Sequence, residues 1–271
     1  MSKIFLLITF ILISLTTLLL ILRWDRRQPE PWKNLLFCFF IGFVAFLTER
    51  FVFRFAVCKM FFGSDLIEFT VRINDEFVSW KDNPAYGSLN RLLFSAYVVG
   101  GLLKEGLKFF FLGYCLNKFR KDVDEPRDPI VYAMIIAFSF ALFDSFFHYY
   151  VDLYPLRSVG GTFDYFRFNL FWVIARLFTV HFAGAMAAGL GYALSWHNYE
   201  TSDALRFRIP FLQNRRKLYV PLGFFMAVLI HGTTTLSFGA RQWGWVMLGF
   251  SLVVLEILVM WEVMRRFKKE A

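Results

Sequence analysis

Four side chains able to ligate a metal or move a proton lie inside long apolar runs of this sequence: Glu105, Asp144, His181 and His231. An ionisable group at such depth costs roughly 2.5–3.5 kcal/mol on insertion scales, so it is rare unless a bundle interior or a water-filled cavity receives it. Two neutral imidazoles and a carboxylate can hold a zinc ion and leave a position open for water. A second carboxylate can then serve as general base, the arrangement of metal-assisted peptide hydrolysis. Charge is densest at Lys104-Glu105-Gly-Leu-Lys108, within the apolar run Leu92–Leu116. Glu105 and Lys108 share a helix face and can neutralise each other, whereas Lys104 points about 100° away from Glu105. Plainer roles stand beside these. An intramembrane histidine is as often a hydrogen-bonding group between helices as a ligand. Asp144 and His148 are four residues apart and can bond to one another. Glu105 with Lys108 can be a structural ion pair and nothing more.

The elements that must position these groups are transmembrane helices. The chain has 271 residues, of which 58% are hydrophobic, including 37 Phe. That exceeds the apolar share of about 45–50% in soluble domains and indicates an integral membrane protein, all-α, folded as one helical bundle over residues 1–271. Seven spans are expected: Ile4–Leu22, Leu35–Val57, Leu92–Leu116, Pro129–Val151, Leu170–Ser195, Val220–Phe238 and Gly244–Val263. Counted from the outer ends of their spans, Glu105 lies 13 residues deep, His181 11, and Asp144 and His231 7 each. At 1.5 Å per residue these depths are about 10–20 Å, so four helices can bring the four groups into one layer.

Basic residues orient the bundle. Loops after the first, third and fifth spans and the C-terminal tail hold 17 Lys and Arg, against 8 on the opposite side. Cytoplasmic loops carry the basic excess, which places the N-terminus outside and the C-terminus in the cytoplasm. The net charge of +9 is accounted for by this asymmetry and points to no nucleic-acid partner. Residues 59–91 form an extracytoplasmic loop or small cap. Cys38, Cys58 and Cys115 are odd in number and widely spaced, which suits neither a disulfide framework nor a Cys-x-x-Cys metal site. Glu49, Arg50 and Arg54 near the outer end of the second span can snorkel towards water. Gly184 with Ala188, and Ala185 with Gly189, are small-residue pairs that let a neighbouring helix approach His181 closely.

Several segments together resemble the PrsW-type intramembrane metalloproteases, distant relatives of the CAAX prenyl endopeptidases. Asp25-Arg-Arg-Gln-Pro-Glu-Pro-Trp-Lys is similar to the segment joining that family's first two spans. Lys104-Glu105-Gly-Leu-Lys108 falls on its Glu-Glu-x-x-Lys motif. Phe138-Ser-Phe-Ala-Leu-Phe-Asp144-Ser-Phe-Phe-His-Tyr149 falls on the stretch ending in Phe-Ala-x-x-Glu-Asn-x-x-Tyr. His181-Phe-Ala-Gly-Ala-Met-Ala-Ala-Gly and His231-Gly-Thr-Thr-Thr235 fall on its two histidine motifs. Three departures touch the chemistry: Lys104 stands at the first Glu of the pair, Asp144 at a Glu, and Thr235 at an Asn.

The resemblance implies a multi-pass protein of the bacterial cytoplasmic (inner) membrane that cleaves a membrane-anchored protein substrate. It implies a zinc ion held by Asp144, His181 and His231, and catalysis that also draws on Glu105 and Lys108, with Glu105 as the base. No oligomeric state follows from it. The departure at Lys104 keeps a second reading open: a PrsW-like pseudoprotease, catalytically inactive, serving as a membrane scaffold or binder. In that case Lys104 closes the metal site by pairing with Glu105 or Asp144.

Overall fold

The computed structural model describes residues 3–24, 29–53, 56, 93–147, 181–196, 216–239 and 251. Every regular element among these residues is helical. The expected loop at 59–91 lies outside them. So do the seventh span apart from position 251, the outer part of the fifth, and His148 and Arg54.

Lys3–Trp24 forms α1. The chain then passes Pro31, whose extended backbone (φ −54°, ψ 127°) cannot continue a helix backwards, and α2 runs from Trp32 to Leu47. The Pro31 carbonyl accepts the N–H groups of Asn34 and Leu35, so this start satisfies two otherwise orphaned donors. A wider, π-helical turn, Thr48–Phe53, prolongs α2. A second π-helical segment, Phe94–Leu103, leads directly into α3, Lys104–Lys118. After a short turn, α4 spans Asp128–Phe147, with Pro129 in the first turn, where its missing N–H costs nothing. His181 and Phe182 make a helical turn before α5, Ala183–Trp196. The last described helix, α6, is Tyr219–Gly239.

Among the described residues, three helices are long and apolar enough to cross a bilayer: Trp32–Phe53 with 22 residues, Asp128–Phe147 with 20 and Tyr219–Leu236 with 18. They coincide with the second, fourth and sixth expected spans. The most deeply enclosed is α4, with 78% of its apolar window buried against 44% and 33% for the other two. Helices in lipid gain little from hydrophobicity against one another, so close packing must come from small residues. Gly42 of α2 lies under the Ile136 carbonyl of α4, where any side chain would collide. A Cβ on Gly189 of α5 would stand 2.7 Å from Ile130 Cα of α4. Gly191 of α5 and Gly223 of α6 face each other in the same way, a Cβ on either lying about 3.0 Å or less from the other's backbone. Hence α5, rich in Ala and Gly, is clasped between α4 and α6. The outward faces carry Leu15, Leu19, Phe40, Phe110 and Phe225, all exposed, as lipid contact requires.

One expectation is corrected. Glu49 and Arg50 do not snorkel; they are 0% and 4% exposed, with the Arg50 guanidinium 5.9 Å from the Phe147 ring centre. They lie on the π-helical turn, whose i→i+5 hydrogen bonds alter the angular step between residues and so carry both side chains into the bundle.

Candidate metal centre

The first turn of α3 presents two adjacent charges in two directions. Successive helical residues diverge by about 100°, and α3 packs against α4 as well as against α5 and α6. Lys104 therefore reaches α4, where its ammonium donates to both carboxylate oxygens of Asp144 at 2.9 Å each. Glu105 reaches the other way. Its Oε1 accepts a 2.5 Å hydrogen bond from Lys108 Nζ and stands 2.5 Å from His231 Nδ1 of α6. All of these side chains are buried. The Glu105 carboxylate fits because position 184 has no side chain: a Cβ there would lie 2.9 Å from Glu105 Oε2.

His181 completes the cluster from the turn before α5. It is 0% exposed, its ring centre 5.3 Å from that of His231 and nearly perpendicular to it. Asp144 Oδ2 lies 3.5 Å from its Nε2, close enough for attraction but too long for a hydrogen bond. Among the described residues neither His181 nitrogen has a hydrogen-bond partner. A buried imidazole in that condition is costly. His231 differs: with Nδ1–H donating to Glu105, the neutral ring carries its lone pair on Nε2.

The five residues singled out from the sequence, Glu105, Lys108, Asp144, His181 and His231, thus lie in one buried cluster. The three whose donor atoms fall within 4.8 Å of one another are Glu105, His181 and His231. Asp144 borders that group through His181 and is bound to Lys104. The donor set fits a divalent cation of zinc's preferences: two imidazoles and one carboxylate, all buried, one imidazole lacking any hydrogen bond.

Three further residues belong to the cluster. The Phe140 ring lies 5.8 Å from Lys104 Nζ, 5.6 Å from Lys108 Nζ and 5.6 Å from the His181 ring, giving both ammoniums a π-face in a water-poor interior. It stands at the Phe of the Phe-Ala-x-x-Glu-Asn-x-x-Tyr motif but, as one of 37 Phe, has nothing in the sequence to mark a role at the site. Tyr97 packs its ring on Gly232 and shares a 2.9 Å hydrogen bond with Thr233, bracing the turn that holds His231. Gly184 was legible as a small residue beside His181, though its neighbour is the Glu105 carboxylate.

The sequence matches the family model described as PrsW family intramembrane metalloprotease over residues 30–262, a range that contains the whole cluster. Protease PrsW of Clostridioides difficile (strain 630) is 21% identical over 239 residues, covering 88% of this chain and 79% of that protein. No solved structure matches.

Proposed function

The chain belongs to the PrsW family of intramembrane metalloproteases, and on that premise we propose that it hydrolyses a peptide bond of a membrane-anchored protein within the bilayer. The observation that carries the proposal is the meeting of Glu105, His181 and His231, from three helical segments, with their donor atoms within 4.8 Å. These three would hold a zinc ion, which when bound supplies Lewis acidity and an acidified water. In this arrangement Glu105 moves from general base to ligand, and Asp144 from ligand to the partner of Lys104 that borders His181.

The chain's own residues account for the rest. Glu105 holds the His231 ring through Nδ1 and so fixes its orientation in the cluster. Lys108 pairs with the Glu105 carboxylate and fixes it by a 2.5 Å hydrogen bond. Phe140 and the small residues of α5 exclude bulk water, which strengthens every charge interaction inside. The surrounding bundle has seven spans with the N-terminus outside, set in a bacterial cytoplasmic membrane; the 17-to-8 basic asymmetry supports that orientation. The substrate bond then enters towards the outer half of the bilayer.

A second reading, a pseudoprotease acting as scaffold, draws on one observation: the Lys104 ammonium already occupies Asp144. Zinc content and cleavage separate the two. The full chain, purified in metal-free detergent and then supplied with zinc, is expected to retain about one ion, with His181→Ala and His231→Ala each losing it while keeping the wild-type tryptophan spectrum. A co-expressed membrane-anchored reporter should be cut by wild type and spared by both variants. Zinc bound equally by all three proteins would overturn the assigned ligand set. Zinc bound as assigned, with the reporter left whole, would favour the scaffold.

A further inference from the structure

Among the described residues, the charged side chains that meet in this cluster are two cations and two anions. Lys104 is paired with Asp144 at 2.9 Å and Lys108 with Glu105 at 2.5 Å. All four are buried, with relative exposures of 1–4%. With both histidines neutral, these described side chains sum to no net charge. A dication arriving between Glu105, His181 and His231 would therefore add two positive charges to a described set that is already neutral. The chief opponent is close at hand. One oxygen, Asp144 Oδ2, is 2.9 Å from Lys104 Nζ and 3.5 Å from His181 Nε2. The ammonium thus stands one carboxylate away from a candidate ligand, in an interior where solvent screens little.

We propose that Lys104 sets the metal affinity of this protein by serving as the built-in counter-ion of Asp144. It supplies the positive charge that a bound divalent cation would otherwise provide, so the bundle folds complete without metal and holds zinc less tightly than it would with an uncharged residue at position 104. The inference rests on reading Glu105, His181 and His231 as the metal set. It concerns charge rather than ligation, and the two are separable by experiment.

Four full-length proteins discriminate: wild type, Lys104→Gln, Asp144→Asn and the double variant. Zinc affinity of each is measured in detergent against a chromophoric chelator, with folding followed by tryptophan fluorescence. Lys104→Gln leaves the cluster at −1 and should bind zinc more tightly than wild type by on the order of 100-fold or more, given how strongly unit charges act across a few ångströms of protein. Asp144→Asn leaves it at +1 and should weaken binding by a similar factor. The double variant is neutral again and should return to within about threefold of wild type, as charges that act only through their sum require. His181→Ala in the Lys104→Gln background should abolish the gain.

Equal affinity in wild type and Lys104→Gln would overturn the proposal and leave the metal set standing. A double variant as weak as Asp144→Asn would also overturn it, since Asp144 would then be a ligand in its own right. A gain that survives His181→Ala would place the zinc elsewhere and overturn it too. No zinc in any protein, Lys104→Gln included, would remove both this inference and the metal reading beneath it. Should Lys104→Gln unfold on purification, addition of zinc is expected to restore the wild-type spectrum, and failure to do so counts against the proposal.

Discussion

Two buried polar clusters hang on the same helix, and they are built on opposite principles. One surrounds Tyr132 near the start of α4; the other surrounds Asp144, 12 residues further on, about 18 Å along the axis. In the first, hydrogen bonds close on each other. The Tyr132 hydroxyl donates to Glu30 and accepts from Asn34 Nδ2 at 3.1 Å, and the same Asn34 amide donates to Asp122 at 2.8 Å. Asp128 accepts the Glu125 N–H at 2.6 Å. These contacts tie the start of α2, the α3–α4 turn and the start of α4 into one node. Among the described residues, the second cluster holds two ammoniums and two carboxylates, and it contains His181 with neither nitrogen hydrogen-bonded. Buried polar groups are normally satisfied because leaving one bare costs free energy. A node that spends every donor on its neighbours fixes geometry. A cluster that leaves an imidazole bare while packing charges around it has capacity left for something else to bind.

The contrast is broken most severely at Asp144. Asp144→Leu removes the carboxylate that accepts both 2.9 Å bonds from Lys104, and loss of one partner of a buried pair costs about 3–5 kcal/mol. Adding Lys104→Met should recover most of that stability, because an apolar pair replaces an ionic one at little net cost. Thermal unfolding in detergent, followed by tryptophan fluorescence, measures both. If Asp144→Leu alone shifts stability by less than about 1 kcal/mol, the ammonium must find another charge or water, and the cluster is not a closed ionic site.

The quieter cluster answers to the opposite test. Tyr132→Phe removes the hydroxyl that serves Glu30 and Asn34 at once, which should cost about 1.5–3 kcal/mol, the range for hydrogen bonds to charged groups. Zinc affinity should not move. A variant that keeps its stability but loses zinc would show that the node transmits to the metal centre and that the two clusters are one system.

Glycine sharpens the comparison on α5. Gly189→Ala places a Cβ 2.7 Å from Ile130 Cα and 2.8 Å from the Pro129 carbonyl, atoms of a backbone that cannot yield. Separation of α4 from α5 should cost about 1–3 kcal/mol. Gly184→Ala places its Cβ 2.9 Å from a carboxylate oxygen of Glu105, a side chain that can turn. It should leave stability nearer to wild type and weaken zinc binding at least as much as a supporting residue does, about 10–100-fold. Equal stability losses in the two variants would erase the distinction between a packing glycine and a site glycine.

How much of this is readable from the chain follows from what each feature depends on. Apolar run length and a fixed helical rise are enough to place Glu105, Asp144, His181 and His231 at one level, and the Pro31 and Pro129 starts are visible as prolines. Which carboxylate joins the histidines is not readable, because depth says nothing about rotation. Glu105 and Asp144 lie at comparable depths, and only the packing of α3 among α4, α5 and α6 turns Glu105 towards His231. The pairing of Lys104 with Asp144 crosses 40 residues, and the sequence offers Glu105 as an equal candidate. Glu49 and Arg50 turn inward on a π-helical turn for which a hydrophobic pattern carries no mark. The Tyr132 node is equally silent in the sequence, because its acids stand in what reads as an ordinary polar loop.

The smallest expected effect tests which side of the comparison Tyr97 belongs to. Its hydroxyl shares one 2.9 Å hydrogen bond with Thr233, and its ring lies on Gly232 so closely that a Cβ there would overlap it. Both contacts fall within two residues of His231, on the helical turn that aims the imidazole. Tyr97→Phe keeps the ring and removes only the hydroxyl, so stability should fall by about 0.5–1.5 kcal/mol, the net worth of an ordinary hydrogen bond. If that bond only joins the π-helical segment to α6, nothing further changes, and Thr233→Val should match it. If it positions His231, zinc affinity should drop by about tenfold in both variants, the lower edge of what supporting groups contribute. The paired measurement is zinc affinity and unfolding on the same samples. A stability loss with unchanged affinity would assign Tyr97 to the scaffold, leaving Glu105 as the group that orients His231.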